Sequence, residues 1–239
     1  MSNERPRVIL LTPYYSQVSM GLHNTLNLAA SRENSQVSVV AEAQVNSSIL
    51  PHTFNVLLGA ALDARDEGRV THMAMAHSDI CAEPGWLDTL YREMLSTDAD
   101  LVSAIVPIKG PSGRTSTAIG DESDPWRVKR SIYLEERWDR PQTFGAGEAC
   151  GPGEVLMVNT GLFLADLRRT YWDDFAFSFH TRIRKTDRGR VAECRSEDWE
   201  MSHHLHKNGA KAVVTFKVRL THEGGCMYPN YEERRGLAP

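Results

Sequence analysis

The residues best suited to chemistry fall in three short stretches. The first ends an apolar run, Met73 to Ala76, abruptly in His77-Ser78-Asp79. A carboxylate emerging where a buried strand meets the edge of a sheet is expected to face a ligand or a cation, because otherwise it is a costly half-buried charge. Asp79 is an oxygen ligand for a hard divalent cation, and His77 suits a borderline one such as Mn²⁺. The plainer alternative is that Asp79 caps a helix opening near Pro84 and His77 merely ends the strand. The second stretch is Ser196-Glu197-Asp198-Trp199-Glu200. Acidic residues in a first helical turn complement the helix dipole, which is the bland explanation. The spacing adds that Asp198, Met201 and Leu205 share the apolar face, whereas Glu197, Glu200 and His204 share a more polar one. Asp198 therefore points along the side that packs on a sheet, where a partly desolvated carboxylate makes a reasonable general base. The third is His222, just past the last apolar run, which could complete a cation site begun by Asp79.

Two other features are weaker. His203, His204 and His206 resemble a zinc site only superficially, because neighbouring helical positions diverge and no cysteine sits at ligand spacing. The basic run from Arg182 to Arg190 reads as a mobile solvated loop or as a clamp on a phosphate-bearing partner.

Elements that alternate between the two regular periodicities must position these residues. Arg7 to Thr12 reads as a buried strand followed by a Pro13-Tyr-Tyr turn, residues 18–31 as a helix, and Gln36 to Ala41 as a second strand with Glu42 just beyond it. A helix over 52–65 carries Phe54, Leu57, Leu58, Ala61 and Ala64 on one face. Strand 71–76, helix 84–95 and strand 101–106 follow. This β-α-β-α-β-α-β order predicts an α/β fold with a mostly parallel central sheet and helices on both faces. Residues 107–153 are rich in Gly, Pro and Ser and read as a long irregular functional loop, with one short strand near Ser131-Ile-Tyr. Val155 to Asn159 then reads as a strand, 160–167 as a turn and a short helix, 197–207 as a helix stopped by Asn208-Gly209, and 212–218 as a last strand.

Bulk composition narrows the function classes. Apolar residues make up 41% and charged residues 24% of the 239, which is ordinary for a globular domain. With 27 basic and 31 acidic side chains the net charge is −4, which argues against bulk nucleic-acid binding and leaves a local basic patch open. No apolar run approaches the ~20 residues of a membrane span, and no export signal is read before Val8. The four scattered cysteines fit a reduced, cytoplasmic setting.

Taken in order, these segments resemble glycosyltransferases of the GT-A fold, in particular the family 2-like branch of bacteria and phages. Thr12-Pro13-Tyr14 matches the strand-to-loop entry of the nucleotide site, and Glu42 falls where an acidic residue meets the base. His52-Thr-Phe-Asn55 is similar to a segment with an Arg-Asn pair, Phe54 replacing the arginine. Met75-Ala-His77-Ser78-Asp79-Ile80 with Pro84-Gly-Trp-Leu resembles the Asp-x-Asp motif and its helix, His77 standing in place of the first aspartate. Leu101 to Lys109 resembles the next strand and its Pro-x-Lys exit, and Asn159-Thr160-Gly161 the acceptor-side turn. Ser196 to Glu200, then Gly209 and His222, match the Glu-Asp helix, the glycine stop and a late metal histidine.

The resemblance implies a single Rossmann-like domain, residues 1–106 binding a nucleotide sugar and 107–239 carrying the acceptor side and catalysis. It implies transfer of a sugar from a UDP- or GDP-sugar to an acceptor hydroxyl on a small molecule, a glycan or a modified nucleic-acid base. Asp79 and His222, with His77 as a third candidate, would hold Mn²⁺ or Mg²⁺ on the diphosphate. Thr12, Pro13, Tyr14, Glu42, Asn55, His77, Ser78 and Gly161 would line the donor site. Asp198 would be the base of an inverting transfer, with Glu197 as the runner-up. A sugar-nucleotide nucleotidyltransferase is disfavoured by the lack of a Gly-rich, Lys/Arg-bearing phosphate loop after the first strand. A non-catalytic nucleotide-sugar or glycan-binding protein of the same fold is the other rival, and His77 is its best support.

Overall fold

The computed structural model describes residues 5–14, 25, 35–224 and 227–231. Its strands are β1 (Arg7–Tyr14), β2 (Ser38–Asn46), β3 (His72–Ala76), β4 (Ile80–Ala82), β5 (Leu101–Ala104), β6 (Arg114–Asp121), β7 (Val128–Tyr133), β8 (Thr143–Gly145), β9 (Glu154–Met157), β10 (Leu162–Asp166), β11 (His180–Thr186), β12 (Gly189–Arg195), β13 (Ala212–Thr215), β14 (Leu220–Glu223) and β15 (Met227–Pro229). Its helices are α1 (Leu50–Asp66), α2 (Trp86–Thr97), the single turn α3 (Ala146–Ala149) and α4 (Glu197–Lys207).

The class is α/β. A seven-stranded sheet in the order β2-β1-β3-β10-β5-β13-β8 runs through the molecule. Its inner strands are apolar on both faces because helices cover both. Ile9, Leu11, Met73 and Met75 point to one side, where Leu57 and Leu58 of α1 and Met201 and Leu205 of α4 complete a core. Val8, Leu10, Ala74 and Ala76 point to the other, against Trp86, Leu87, Leu90 and Met94 of α2. The small alanines of β3 leave room for the fully buried Trp86 indole.

The sheet is mixed rather than mostly parallel, which corrects the expectation. β1 is parallel to β2 and β3, and β13 to β5, but β10 lies antiparallel between β3 and β5, and β8 antiparallel beside β13. The cause is the segment 160–167, expected as a turn and a helix. Its apolar run Leu162-Phe-Leu-Ala is too short for a helix, and it fills a central strand position with every residue buried.

Residues 107–153 are not a long irregular loop. β6 pairs with β7 and β9 in a three-stranded antiparallel sheet, and Thr115, Thr117 and Ile119 supply the β-branched residues for it. Most of the Gly and Pro residues that suggested a loop sit between the strands, while Gly120 lies within β6 and Gly145 ends β8. The basic run is likewise no loop: β11 and β12 form a two-stranded hairpin in register from His180↔Arg195 to Thr186↔Gly189. β1 continues through Pro13 and Tyr14 instead of turning there, and its pairing to β3 stops at Leu11, so the missing proline N–H leaves no gap in that ladder. Helix α2 begins at Trp86, behind Gly85 in the left-handed region at φ 82°, so Asp79 does not cap it. The predicted helix 18–31 lies outside the described residues except for Thr25, which is helical; its hydroxyl accepts from the Ala82 N–H and its carbonyl from Trp86 Nε1.

Candidate functional site

β3 ends at Ala76, and the chain turns at once, the Ile80 N–H donating to the His77 carbonyl at 3.1 Å. Asp79 stands on that turn. β4 then pairs antiparallel with β14, which places His222 opposite Ile80 and beside Asp79. The Glu223 N–H donates to the Asp79 carbonyl at 2.7 Å and locks the register. Thus two residues 143 positions apart come together because a three-residue strand finds its partner near the end of the chain.

His222 Nε2 lies 3.2 Å from Asp79 Oδ2, and its Nδ1 lies 2.7 Å from the Pro107 carbonyl oxygen. A carbonyl can only accept, so Nδ1 carries the proton there. Nε2 then faces the carboxylate either as the N–H of an imidazolium or as a lone pair that calls for a cation between the two groups. Lys109 Nζ approaches the same Oδ2 at 2.5 Å. Burial alone would push the Asp79 carboxyl up, but hydrogen bonds from His222 and Lys109 outweigh it and hold the group well below the usual carboxylate range.

His77 does not join this pair. Its backbone N–H donates to the Gly161 carbonyl at 2.9 Å. Its ring packs at 5.2 Å from the Phe54 ring, and its Nε2 is buried without a hydrogen-bond partner. Burial pushes the imidazole down to about 4 against the pull of Asp79, so His77 is neutral at pH 7. The expectation of a third metal ligand is therefore corrected. Among the described residues no cluster of three His, Cys, Asp or Glu side chains could hold an ion. Asp79 and His222 offer a divalent cation two protein ligands at most, the rest to come from phosphate oxygens and water, and Lys109 Nζ holds the same Oδ2 in this structure.

The second half of the site grows from the turn before β10. Asn159 Nδ2 donates to the Ala104 carbonyl at 2.6 Å and its Oδ1 accepts from the Gly161 N–H at 3.0 Å, which holds Thr160 in place. The Thr160 hydroxyl donates to Asp198 Oδ1 at 2.5 Å. Ser202, one turn along α4, accepts from the Val158 N–H at 2.9 Å and donates to the Asp198 carbonyl at 2.6 Å, anchoring the helix start to the sheet. Burial lifts Glu197 to about 7, helped by the neighbouring Asp198 charge. It lifts Asp198 to about 6, opposed by the Thr160 hydrogen bonds. Both carboxyls are desolvated, and the Asp198 charge acts on its neighbour Glu197.

Thr160 and Gly161 join the halves, one side chain reaching Asp198 and the next carbonyl reaching His77. Gly161 itself is buried and does not line an open site; a Cβ there would meet Asn159 Oδ1 at 3.2 Å and Val106 at 3.4 Å. Its role is close approach. Thr12 and Pro13 are buried in β1, with Tyr14 half-buried at its end, while Ser78 shares the turn with Asp79. Two expected donor contacts are placed elsewhere. Glu42 is exposed in the middle of edge strand β2, opposite Leu10, not beyond the strand's end. Asn55 is engaged from both ends of its amide by the Phe177 backbone, at 2.8 Å each, and so pins the segment behind Phe54. The three histidines of α4 diverge, His204 Nε2 to the Tyr171 carbonyl at 2.7 Å and His206 to Glu122 at 3.3 Å.

Lys109 and Thr160 carry contacts that their residue types did not announce. The signal for Lys109 was its place five residues past the end of β5, and for Thr160 its place between a buried Asn and a Gly. A cavity of about 710 Å³, bounded by Phe144, Ser202 and Lys211 among others, lies at the opposite ends of β5 and β13 and includes none of Asp79, Lys109, Thr160, Asp198 and His222.

No protein-family model matches the chain, and no curated protein does. Among solved structures, the crystal structure of A197 from STIV matches with a TM-score of 0.54 over 95% of each chain, at 9% identity. That likeness is one of fold alone.

Proposed function

We propose that the chain is a glycosyltransferase of GT-A type that moves a sugar from a nucleotide donor to an acceptor hydroxyl. The observation that carries the reading is that the Asp79–His222 pair, just past the end of β3, and Asp198, held by Thr160 just before antiparallel β10, lie at the same end of the sheet. One half suits a diphosphate with its cation, the other a proton to be removed, and group transfer needs both. The parallel strands β2, β1 and β3, with the chain turning at Asp79 directly after β3, agree with a nucleotide site at the carboxyl ends of the strands.

In this reading Asp198 accepts the acceptor's hydroxyl proton through Oδ2, since Thr160 occupies Oδ1. The freed oxygen bonds to the anomeric carbon as the bond from that carbon to the diphosphate breaks, and the electron pair leaves with the diphosphate. Lys109 is within reach of Asp79 and, once a donor enters, can turn to the departing phosphate. A bound Mn²⁺ or Mg²⁺ held by Asp79 and His222 would neutralise charge on that phosphate. A carboxylate whose pKa lies near 6 is ionised at neutral pH yet basic enough to share the proton as it transfers. Attack from the face opposite the leaving group inverts the anomeric configuration.

Thermal unfolding with UDP-, GDP- and dTDP-sugars, with and without Mn²⁺, tests this. A donor at about 100 times its dissociation constant should stabilise by about 2.7 kcal/mol, which is roughly 5–10 °C for a chain of this size. Asp198→Asn should keep that shift and lose transfer. No response to any donor sinks the proposal, and full turnover by Asp198→Asn removes the base.

A further inference from the structure

The β11–β12 hairpin is not used by any of this chemistry, and its composition is unlike the rest of the molecule. Residues 180–195 hold six Lys and Arg against Asp187 and Glu193, a net +4 in a chain of net −4, so the remaining residues carry −8. The ribbon leads directly into Ser196, the residue before α4.

Its root is braced. Arg195 pairs with Glu200 at 2.5 Å, and Arg182 and Arg195 lie over the Trp126 ring at 4.3 and 5.6 Å. Glu193 takes both Arg182 and Arg184 at 2.7 Å on one face. The other face, Thr181, Ile183, Lys185, Arg190, Ala192 and Cys194, is exposed throughout, Ile183 to 74%. Near the tip, Lys185, Arg188 and Arg190 have no ion-pair partner among the described residues. An uncovered apolar side chain amid unpaired cations costs solubility and gains nothing in the fold, since among the described residues no other strand pairs with the ribbon.

We propose that this hairpin is a docking arm for duplex DNA, an inference that does not rest on the proposed transfer. Charge complementarity selects a polyanion. Five of the six cations are arginines, whose planar fork matches phosphate bidentately. A two-stranded ribbon is one of the few elements that the ~12 Å major groove of B-DNA admits. Seven residues per strand span about 23 Å, long enough to follow the groove while its root stays beside the catalytic helix. The deep, narrow major groove of an RNA duplex excludes such a ribbon. The acidic remainder of the surface would repel the same duplex, so the arm also sets its orientation.

Fluorescence anisotropy with a labelled DNA duplex of about 24 bp, at about 50 and 150 mM KCl, reads this directly. Replacing Lys185, Arg188 and Arg190 together by serine should weaken binding at least tenfold and reduce the slope of log affinity against log salt by about 2–3, at roughly 0.9 per phosphate contact. Should the triple variant fail to fold, Arg190→Glu alone should cost at least fivefold. Equal affinity of variant and wild type overturns the proposal. So does equal or tighter binding of an RNA duplex or of polyaspartate, and so does a wild-type dimer that the triple substitution dissociates, which would make the acidic body of a second copy the arm's occupant. Arm-dependent DNA binding without any donor-induced stabilisation would keep the arm and remove the transferase reading. Donor-induced stabilisation with arm-independent DNA binding would do the reverse.

Discussion

Thr160 is 1% exposed, and its hydroxyl donates to Asp198 Oδ1 at 2.5 Å, so Thr160→Val removes one hydrogen bond while keeping the shape of the site. The size of the loss depends on what the hydroxyl faces. A hydrogen bond to an ionised group contributes about 1.5–3 kcal/mol and one to a neutral group about 0.5–1.5 kcal/mol. Burial places the Asp198 carboxyl at about 6, so it is ionised at pH 8 and mostly protonated at pH 5. The valine variant should therefore lose about 2–3 kcal/mol at pH 8 and about 1 kcal/mol at pH 5. Because the donor favours the charged form, its removal should also raise the Asp198 pKa by about one unit, equivalent to 1.4 kcal/mol, and move the acidic limb of any transfer profile up by the same amount. Urea unfolding at the two pH values, followed through the five tryptophans, measures both losses. An equal loss at pH 5 and pH 8, or a larger one at pH 5, would refute a hydrogen bond to an ionised, buried base.

Three further outcomes follow from the same contacts. Burial raises Glu197 and Asp198 to about 7 and 6, so between about pH 4 and pH 7 the folded chain keeps protons that the unfolded chain has released. Their contribution is full below pH 4 and lost as pH rises through 6 to 7. The stability of Glu197→Gln relative to wild type should then climb by roughly 2 kcal/mol from pH 5 to pH 8, the oppositely shifted His72 and His77 cancelling in the difference; a flat difference would count against the burial. Asp79 runs the other way: its lowered pKa contributes stability above about pH 4 that disappears in acid, so the gap between wild type and Asp79→Asn should close as pH falls below 4, and a constant gap would contradict the pairing with His222 and Lys109. Asn55→Ala leaves the Phe177 N–H and carbonyl without their partner and should cost about 2 kcal/mol in urea unfolding; a loss under about 0.5 kcal/mol would return Asn55 to the list of free donor contacts.

Local physics in the sequence sufficed for the elements that bury a strong stripe. Phe54, Leu57, Leu58 and Ala61 specify α1, because that pattern has one period and one way to hide its apolar side, while Met73 to Ala76 reads as a strand from its short length and abrupt polar end. The same reasoning located Asp79 at a strand end and Asp198 in a first helical turn, since both follow from spacing along the chain. It failed where a run was short or its partner distant. Leu162 to Ala165 is apolar in any conformation, and only the gap between β3 and β5 makes it an antiparallel strand. The Gly-rich segment and the basic run became sheet and hairpin because cross-strand partners, not intrinsic preference, decide β structure.

Tertiary structure alone decided who meets whom. It set His222 against Asp79 through the β4–β14 pairing, added Lys109 to the same oxygen, and turned His77 away toward Phe54. It removed Asn55 from the donor list by giving its amide to the Phe177 backbone. Residue types and their order are written in the chain; the burial that lifts Asp198 and the pairing that lowers Asp79 exist only once distant segments exclude water around them.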